Sequence, residues 1–505
     1  MRLIIVVISL LVAIAAVLSG CSRSEPESQD FSIVFITVDT LRSDRVGAYG
    51  YAKARTPAID QLAAEGALFE NAYCDVPWTT ASMTSVMTGL FSTEHGLQAP
   101  WLKLPESQET MAEIFRDHGY KTGAVIGIFS LDSAYGLDQG FDFYDDDFSL
   151  PAIVHPDQPA DRKIELKVTE DLWAYAKLAE EKVYNDAYKR DADVTDSSLE
   201  WLAEHKGQPF FLWAHYFGPH ERLMFGKDLA DNRVRIVADY DRELAATDIE
   251  IGRLLAGLDE LGLRKNTLVV LSSDHGQTLG ERGAIGHGRD LLEPEVRIPL
   301  IVRHPGSVDA GMRIPAIVRS VDILPTFLDY AEIAVPKRLA GLSVRDLLDG
   351  NDEMTERRAF MDLHVVMPTL MDDDAGEHYF GAVHYQAIRE GNWKFVTGEL
   401  VGPCTIGGGE IEWTMLGLDP KGREGSSKLS EEECRERRFS SLFNVRQRGP
   451  ALATEARDVS AHHPDVVARL TALLEVMSTR KGEAESFELS PEQERKLKSL
   501  GYMAE

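Results

Sequence analysis

The sequence predicts an α/β protein with a large mixed, mostly parallel sheet flanked by helices, followed by a smaller C-terminal α+β subdomain. Apolar runs at Ser32–Val38, Pro209–Phe217 and Asn266–Ser273 are typical of strands that are buried on both faces. Amphipathic patterns such as Tyr240–Leu263 separate these runs, as expected where crossover helices join parallel strands. With 505 residues and 44% hydrophobic content, the chain is long enough for one large core with an appendage.

The first residues have the pattern of a secretory leader. Leu3–Leu18 is an apolar run, shorter than the roughly 20 residues of a spanning helix, and it suits the apolar region of a signal peptide. The Leu-Ser-Gly-Cys that ends at Cys21 resembles a bacterial lipobox. We therefore expect a lipoprotein signal peptide at 1–20, lipidation of Cys21 and a polar linker at 21–30. The alternative is an uncleaved membrane anchor. The expected location is the bacterial cell envelope, lipid-anchored and facing the periplasm or exterior.

The charge of the chain excludes polyanion binding as its general function. The formal net charge is −29, from 82 acidic and 53 basic residues. Such a surface repels nucleic acid and anionic lipid, although a local basic pocket can still hold one anionic group. We expect no nucleic-acid partner, and membrane contact only through the N-terminal lipid. The oligomeric state is left open.

The remaining cysteines carry weaker signals. Cys74 is interpreted as buried packing. Cys404 and Cys434 flank a Gly-rich, charged segment. In an oxidising compartment they either pair or remain free, because sequence alone does not fix connectivity.

A hydroxyl-rich turn that leads into an apolar helix lies at Pro77–Gly96. This arrangement puts a side-chain oxygen at a helix N-terminus, where backbone N–H groups and the macrodipole favour an anion. That position suits a nucleophile that attacks a phosphate or sulfate ester. The competing interpretation is an ordinary N-capped helix.

Polar residues also follow the predicted strands. Asp39 ends the first apolar run, and Asp274–His275 ends the run at Asn266–Ser273. Open α/β sheets bind ligands at the carboxyl ends of their strands. An Asp and a His together offer a metal two donors of different hardness. His220, just beyond Pro209–Phe217, can protonate a leaving group near neutral pH.

With these segments in view, the chain resembles the sulfatase family of the alkaline phosphatase superfamily, well from Ser32 to Leu348 and loosely beyond. The resemblance rests on FITVDTLRSDRVGAYGY, TGLFSTEHG, PFFLWAHYFGPH, SSDHGQTLGERGAIGHG and VRIPLIVRHPG. It implies an alkaline phosphatase-like fold, with a catalytic domain at 31–348 and a C-terminal subdomain at 349–505. It also implies a metal-dependent hydrolase of sulfuric or phosphoric esters.

The family's nucleophile arises from the first residue of a Cys/Ser-x-Pro-Ser-Arg motif, which is converted to formylglycine. This chain has Thr79-Thr80-Ala81-Ser82-Met83 in that register. The resemblance therefore makes Thr79 the unmodified nucleophile. Thr79 has no second hydroxyl for the hemiacetal release of sulfate, so its intermediate must be cleaved at the central atom, which suits phosphorus better than sulfur.

The other site residues follow from the same resemblance. It implies one divalent metal ion held by four residues and a catalytic role for His220. It also implies substrate contacts for two further residues. The expected metal ligands are Asp39, Thr79, Asp274 and His275, and the expected substrate contacts are His287 and Arg42. Because Thr40 replaces one Asp of the family's usual pair, manganese or zinc is favoured, with calcium possible.

Three functions remain open on the sequence. The first is a hydrolase of sulfate, phosphate or phosphonate esters on a small-molecule, glycan or lipid substrate. The second is a phosphotransferase that passes the Thr79-bound group to an acceptor alcohol. The third is a non-catalytic binding lipoprotein on the same fold.

Overall fold

The computed structural model describes most of the region from residue 31 to residue 401 and parts of the C-terminal region. The described residues are 31–98, 102–148, 188–220, 229–281, 285–351, 357–369, 379–401, 438–445, 455, 458–478, 482, 485–486, 490–493 and 495. The predicted signal peptide, Cys21 and the linker lie outside them, as do Cys404 and Cys434. Of the predicted cysteine roles, only that of Cys74 falls inside, and its side chain is buried and unpaired.

A nine-stranded mixed sheet forms the centre of the described structure. Its strands are β1 Ser32–Val38, β2 Ala67–Tyr73, β4 Lys121–Ile126, β5 Phe143–Asp145, β6 Phe210–Tyr216, β7 Thr267–Ser272, β10 Arg297–Ile298, β11 Leu300–Arg303 and β12 Met312–Arg319. They are arranged in the order β10-β2-β11-β7-β1-β6-β4-β5, and β12 also pairs with β2. β1 pairs in parallel with both β6 and β7, whereas β11 runs antiparallel to β7 and β2. The strands β1, β2, β6 and β7 therefore all point their carboxyl ends to the same edge. This confirms the predicted mixed, mostly parallel sheet.

Alternation along the strands divides the core into two layers. In β1, Ile33 and Phe35 belong to one buried cluster, whereas Val34, Ile36 and Val38 belong to the cluster on the opposite face. All seven residues of β1 are buried. A strand buried on both faces is apolar throughout, which explains the continuous hydrophobic runs in the sequence.

Helices cover both faces of this sheet. The helices of the described residues are α1 Pro57–Ala64, α2 Thr79–Thr88, α3 Ser92–His95, α4 Met111–Asp117, α5 Asp191–His205, α6 Leu229–Glu260, α7 Glu293–Val296, α8 Ile323–Tyr330, α9 Arg345–Leu348 and α10 Pro464–Met477. The sequence predicts α6 only from Tyr240, whereas the structure begins this helix at Leu229. Among the described helices, none is long and apolar enough to cross a bilayer.

A four-stranded antiparallel sheet follows in the C-terminal region. It consists of β13 Arg358–Thr369, β14 Tyr379–Glu390, β15 Trp393–Val401 and β16 Arg438–Asn444, paired in chain order. Helix α10 packs on it through Leu470 and Leu474, which share a buried cluster with Ile388 and Phe395. The described residues also form short two-stranded pairs, of β3 Leu102–Lys103 with β17 Glu485–Ser486 and of β8 Thr278–Leu279 with β9 Ile285–Gly286. A smaller C-terminal α+β part is therefore present as predicted, while its boundary at residue 348 stays a prediction.

Buried polar contacts join the two sheets. Lys394 of β15 lies 3.1 Å from the Glu293 carboxylate and 2.9 Å from that of Glu455. Arg389 of β14 donates from Nε to the Tyr73 hydroxyl at the end of β2. The C-terminal sheet is thereby held against the strand that leads to Thr79.

Candidate active site

The polar residues that follow β1, β2 and β7 meet at one edge of the large sheet. Asp39 directly follows β1, Asp274 and His275 follow β7, and Thr79 opens helix α2 after β2. All four are buried. The parallel direction of the three strands explains this convergence, because it brings residues far apart in sequence to one place.

Asp39, Asp274 and His275 form a cluster with the composition of a metal site. One donor atom from each lies within 4.8 Å of the others. The Asp274 carboxylate accepts hydrogen bonds at Oδ1 from the backbone N–H groups of Thr40, at 3.0 Å, and His275, at 2.7 Å. Its Oδ2 and both Asp39 oxygens are buried without a hydrogen-bond partner. Three unpartnered carboxylate oxygens at one point fit a cation, because buried acceptors without a partner are costly.

The protonation chemistry of the cluster also fits a cation. Burial, and after it the negative charge of Asp274, raise the pKa of Asp39 well above its usual value. Two carboxylates that face each other away from water are unfavourable when both are ionised. A divalent ion would remove that conflict.

His275 presents its Nε2 to the cluster. Its Nδ1 lies 2.8 Å from the Gly276 carbonyl, which can only accept, so Nδ1 carries the hydrogen. The Nε2 lone pair is then available, 3.4 Å from Asp274 Oδ2. This arrangement, in which a backbone carbonyl fixes the tautomer, is typical of histidines that bind metals.

Thr79 is the first residue of helix α2, and its hydroxyl contacts the cluster. Its Oγ1 lies 3.2 Å from His275 Nε2, and the hydroxyl also lies close enough to Asp39 to lower the pKa of that carboxyl. The neighbouring hydroxyls bond elsewhere, since Thr80 donates to the Ser130 carbonyl at 2.6 Å and Ser82 to the Asp274 carbonyl at 2.7 Å. Of these three hydroxyls in the motif's register, Thr79 is the one that contacts the Asp–His cluster.

His220 and His287 lie beside each other at the cluster. Their Nε2 atoms are 3.2 Å apart, and the His287 ring lies 4.4 Å from that of His275, centroid to centroid. Burial, followed by the nearby His275 and His220, lowers the pKa of His287 well below its ordinary value. His287 is therefore neutral. Since a backbone hydrogen bond links it to Pro77, its Nε2 is the natural acceptor and His220 the donor of the pair.

His215 also lies beside the cluster, although the only sign of this in the sequence is its place near the end of an apolar run. Its Nε2 lies 3.7 Å from Asp39 Oδ2. Trp213 donates to the Thr37 hydroxyl at 2.8 Å, which leaves the Thr37 hydrogen for His215 Nδ1 at 2.6 Å. The hydrogen of His215 then resides on Nε2 and points toward Asp39. Burial lowers the pKa of His215 to about 4, so the ring is neutral.

Thr40 carries backbone strain next to the cluster. Its φ is 54°, in the left-handed region that β-branched residues rarely enter. The Tyr240 hydroxyl holds this conformation by donating to the Thr40 carbonyl at 2.9 Å. Strain that the surrounding structure maintains is found most often at functional sites.

Arg42 does not join the other predicted residues directly. Its Nε and Nη2 bond both oxygens of Asp44 at 2.8 Å, and its Nη1 lies 3.0 Å from Glu281 and from the Gln277 carbonyl. The side chain is 3% exposed. A substrate contact by Arg42 stays a prediction. The observed bonds connect the segment that follows Asp39 to the segment that follows His275.

Comparison with known proteins places the chain in a family. The Sulfatase family model matches residues 32–333. An ulvan-active sulfatase of Formosa agariphila is 29% identical over 350 residues, which cover 65% of this chain and 67% of the relative. An N-acetylglucosamine-6-O-sulfatase of Bacteroides thetaiotaomicron is 26% identical over 443 residues, covering 68% of this chain and 75% of the relative.

A solved structure shares the fold at lower sequence identity. The phosphonate monoester hydrolase from Silicibacter pomeroyi superposes with a TM-score of 0.59 at 18% identity, covering 89% of this chain and 96% of that one. With the family model matched over more than half of its length, the chain belongs to the sulfatase family and is a hydrolase that acts on ester bonds.

Proposed function

We propose that this protein hydrolyses sulfate, phosphate or phosphonate esters with the unmodified Thr79 hydroxyl as nucleophile. The observation that carries the proposal is the contact of Thr79 Oγ1 with His275 and Asp39 at the first residue of a helix. A nucleophile needs a nearby acceptor for its proton, and the Asp39 carboxylate supplies one. The N-terminus of α2 adds backbone N–H groups that favour the anionic substrate.

The reaction has two displacement steps. In the first, the Thr79 hydroxyl passes its proton to the Asp39 carboxylate and Oγ1 forms a bond to sulfur or phosphorus, while the bond to the ester oxygen breaks. His220 Nε2 gives its proton to the departing oxygen, so the alcohol leaves neutral. In the second, water gives a proton to His220 and attacks the same central atom, and the bond to Thr79 Oγ1 breaks as that oxygen takes its proton back from Asp39. The neutral His287 accepts a hydrogen bond from His220, which keeps the proton of His220 on Nε2.

Asp39, Asp274, His275 and the Thr79 hydroxyl would hold one divalent cation. Bound there, such an ion would lower the pKa of the hydroxyl and offset the charge on the ester oxygens. Mixed oxygen and nitrogen donors favour manganese or zinc over calcium.

The substrate class is the open part of the proposal. The relatives named above act on ulvan and on N-acetylglucosamine 6-O-sulfate groups, which supports a sulfated glycan. Thr79 lacks the second hydroxyl of a formylglycine hydrate, which supports a phosphorus ester. Release at the central atom is possible for both.

The sequence also left two other functions open, and both have less support than hydrolysis. A phosphotransferase would use the same first step and then pass the group to an alcohol instead of water. A binding lipoprotein would use only the anion-binding elements. The buried, converging Asp39, Asp274 and His275 favour catalysis over binding alone.

We also propose that the mature protein begins at lipidated Cys21 and is anchored in a bacterial cell envelope, facing the periplasm or exterior. The Leu-Ser-Gly-Cys at 18–21 supports this location.

A substrate screen tests the proposed activity. Aryl sulfate, phosphate monoester, phosphate diester and phosphonate ester are offered to the chelated protein, with manganese, zinc or calcium added back. We expect metal-dependent release of phenol from at least one class. No turnover of any class with any metal would reject the hydrolase.

The leaving group tests the role of His220. In His220→Ala, we expect about a 10²-fold or greater loss with an unactivated phenol ester. The loss should be much smaller with a 4-nitrophenol ester, because that oxygen leaves without a proton. Equal losses for both esters would reject His220 as the acid. His118→Ala, at the end of α4, is the control and should leave both rates unchanged.

A further inference from the structure

A second cluster of metal-ligand residues lies in the C-terminal sheet. Asp362 and His364 are two residues apart in β13, so alternation places them on the same face. The antiparallel register sets His384 of β14 directly opposite His364. Directly opposed residues have Cβ atoms about 5 Å apart, so the three side chains meet without any loop rearrangement.

The three side chains face each other through their donor atoms. Asp362 Oδ2 lies 2.8 Å from His384 Nε2, and Asp362 Oδ1 lies 3.4 Å from His364 Nε2. The two imidazole rings are stacked, with centroids 4.0 Å apart and planes inclined by 9°. Donors around a tetrahedral zinc ion are separated by about 3.3 Å, as follows from bond lengths near 2 Å. The observed separations bracket that value.

The surroundings hold the carboxylate in place. Gln386 Nε2 donates to Asp362 Oδ2 at 2.9 Å, and Gln98 Nε2 donates to Oδ1 at 3.1 Å. The remaining hydrogen of the Gln386 amide is donated to the Ser478 hydroxyl. Partners of this kind orient carboxylate ligands in metal sites.

The carboxylate of the cluster is buried, whereas its two histidines are partly exposed to solvent. Asp362 is 1% exposed, whereas the side chains of His384 and His364 are 23% and 38% exposed. A metal could therefore enter from the His side, with water completing its coordination.

We propose that Asp362, His364 and His384 form a second divalent metal site, separate from the Asp39 cluster. Two imidazole nitrogens and one carboxylate select a zinc-like transition metal over calcium or magnesium. On binding, the hydrogen shared by His384 Nε2 and Asp362 moves to Nδ1 or to solvent, and the freed lone pair of Nε2 binds the ion.

Hydrogen bonds connect this second site to the segment that leads to Thr79. The Asp362 backbone N–H donates to the Asp75 carbonyl at 2.8 Å. Asp75 lies between β2 and Thr79, and its carboxylate accepts from Ser85 of α2 at 2.9 Å. Metal binding at β13 and β14 should therefore stabilise the fold around the start of α2.

Cobalt substitution tests the site without using activity. The full chain is stripped with a chelator and titrated with Co²⁺, and visible absorption and bound metal per chain are recorded. We expect His364→Ala and His384→Ala each to lose about one equivalent of metal with its absorption bands. His275→Ala should retain those bands, because it alters the other cluster. His462→Ala, an exposed histidine before α10, should match the wild type.

Thermal unfolding guards against misfolded variants. Zinc should raise the Tm of wild type and His275→Ala by a few degrees, and of His364→Ala by clearly less. A cooperative unfolding transition in the absence of metal confirms that a variant is folded. If a histidine variant shows no such transition, Asp362→Asn is tested in its place. Metal stoichiometry and absorption that are unchanged in His364→Ala and His384→Ala, or lost only in His275→Ala, would overturn the proposal.

Discussion

At the scale of single residues, hydrogen bonding separates hydroxyls that the sequence alone leaves equivalent. The segment from Thr79 to Ser85 contains five Ser and Thr residues. Thr80 and Ser82 donate to backbone carbonyls, and Thr84 donates to the Thr80 carbonyl one turn back. Thr79 instead contacts His275 and Asp39. The nucleophile predicted by the register of the motif is thus also the hydroxyl in the best chemical environment.

Replacing Thr79 with Ala should remove most turnover while leaving folding and metal content nearly intact. The expected loss is about 10³-fold or more, as for other deleted nucleophiles. Thr80→Ala is the matched control and should lose far less activity, because its hydroxyl serves only the bond to Ser130. Mass spectrometry of the trapped active-site peptide should find the sulfate or phosphate on Thr79. An adduct on Thr80 or Ser82, or full activity of Thr79→Ala, would contradict the assignment.

Replacing Thr40 with Asp should change the metal preference. Asp tolerates the left-handed conformation at this position better than Thr does, and its carboxylate adds a hard oxygen beside Asp39. Activity with calcium, relative to manganese, should rise several-fold in Thr40→Asp when the chelated protein is reconstituted. Thr40→Asn relieves the same strain without the charge and should keep the wild-type preference. If calcium alone already restores full wild-type activity, the preference for manganese or zinc is wrong.

At the scale of elements, sequence patterns predicted the strands better than their directions. The runs that became β1, β6 and β7 were evident, because strands buried on both faces are uniformly apolar. The antiparallel course of β11 between β2 and β7 was not evident, because side-chain alternation is the same for both directions. His215 was missed for a related reason. One histidine in an apolar strand gives no sign of which face it occupies, and only the pairing of β6 with β1 brings it to Asp39.

The turn after β6 determines where His220 lies. Gly218 has φ of 56°, and a Cβ there would lie 2.6 Å from Val38 Cγ1. Gly218→Ala should therefore displace the Gly-Pro-His turn and lower kcat by about 10²-fold, the usual contribution of a general acid. Metal content should remain unchanged. Gly207→Ala, before the same strand, has open space around its Cβ and is the control. Wild-type kcat in Gly218→Ala would show that the turn does not position the acid.

The link between β2 and α2 should make stability depend on pH. Burial raises the pKa of Asp75 to about 7, despite hydrogen bonds from Ser92 and Ser85, and the unfolded value is about 3.9. The stability associated with this group is fully present below pH 4 or so and is lost as pH rises toward the folded pKa, at about 1.4 kcal/mol per pH unit. Asp75→Asn should therefore gain relative to wild type between about pH 4 and 7 in urea unfolding. A constant difference across that range would rule out a raised pKa.

At the scale of the whole molecule, the candidate site residues lie between Asp39 and His287. The C-terminal sheet contacts the segment that leads to Thr79, through Tyr73 and Asp75. The fold class could be predicted because motifs and apolar runs agree along the chain. The second metal cluster could not, because His364 and His384 are 20 residues apart and meet only through the register of β13 and β14. Register depends on pairing across the whole hairpin and leaves no short motif in the sequence.

We expect the N-terminal segment to determine where this protein works in the cell. If Cys21 is lipidated, a fatty-acid probe fed to cells producing the full chain should label the protein, and Cys21→Ala should abolish the label. The protein should then move from the membrane fraction to the soluble fraction or remain as the unprocessed precursor, because one acyl-bearing residue is its expected anchor. Cys74→Ala is the control, since that thiol is buried in the core and should not carry lipid. Equal labelling of wild type and Cys21→Ala would exclude Cys21 as the lipid site. Membrane association without any label would instead favour the uncleaved anchor.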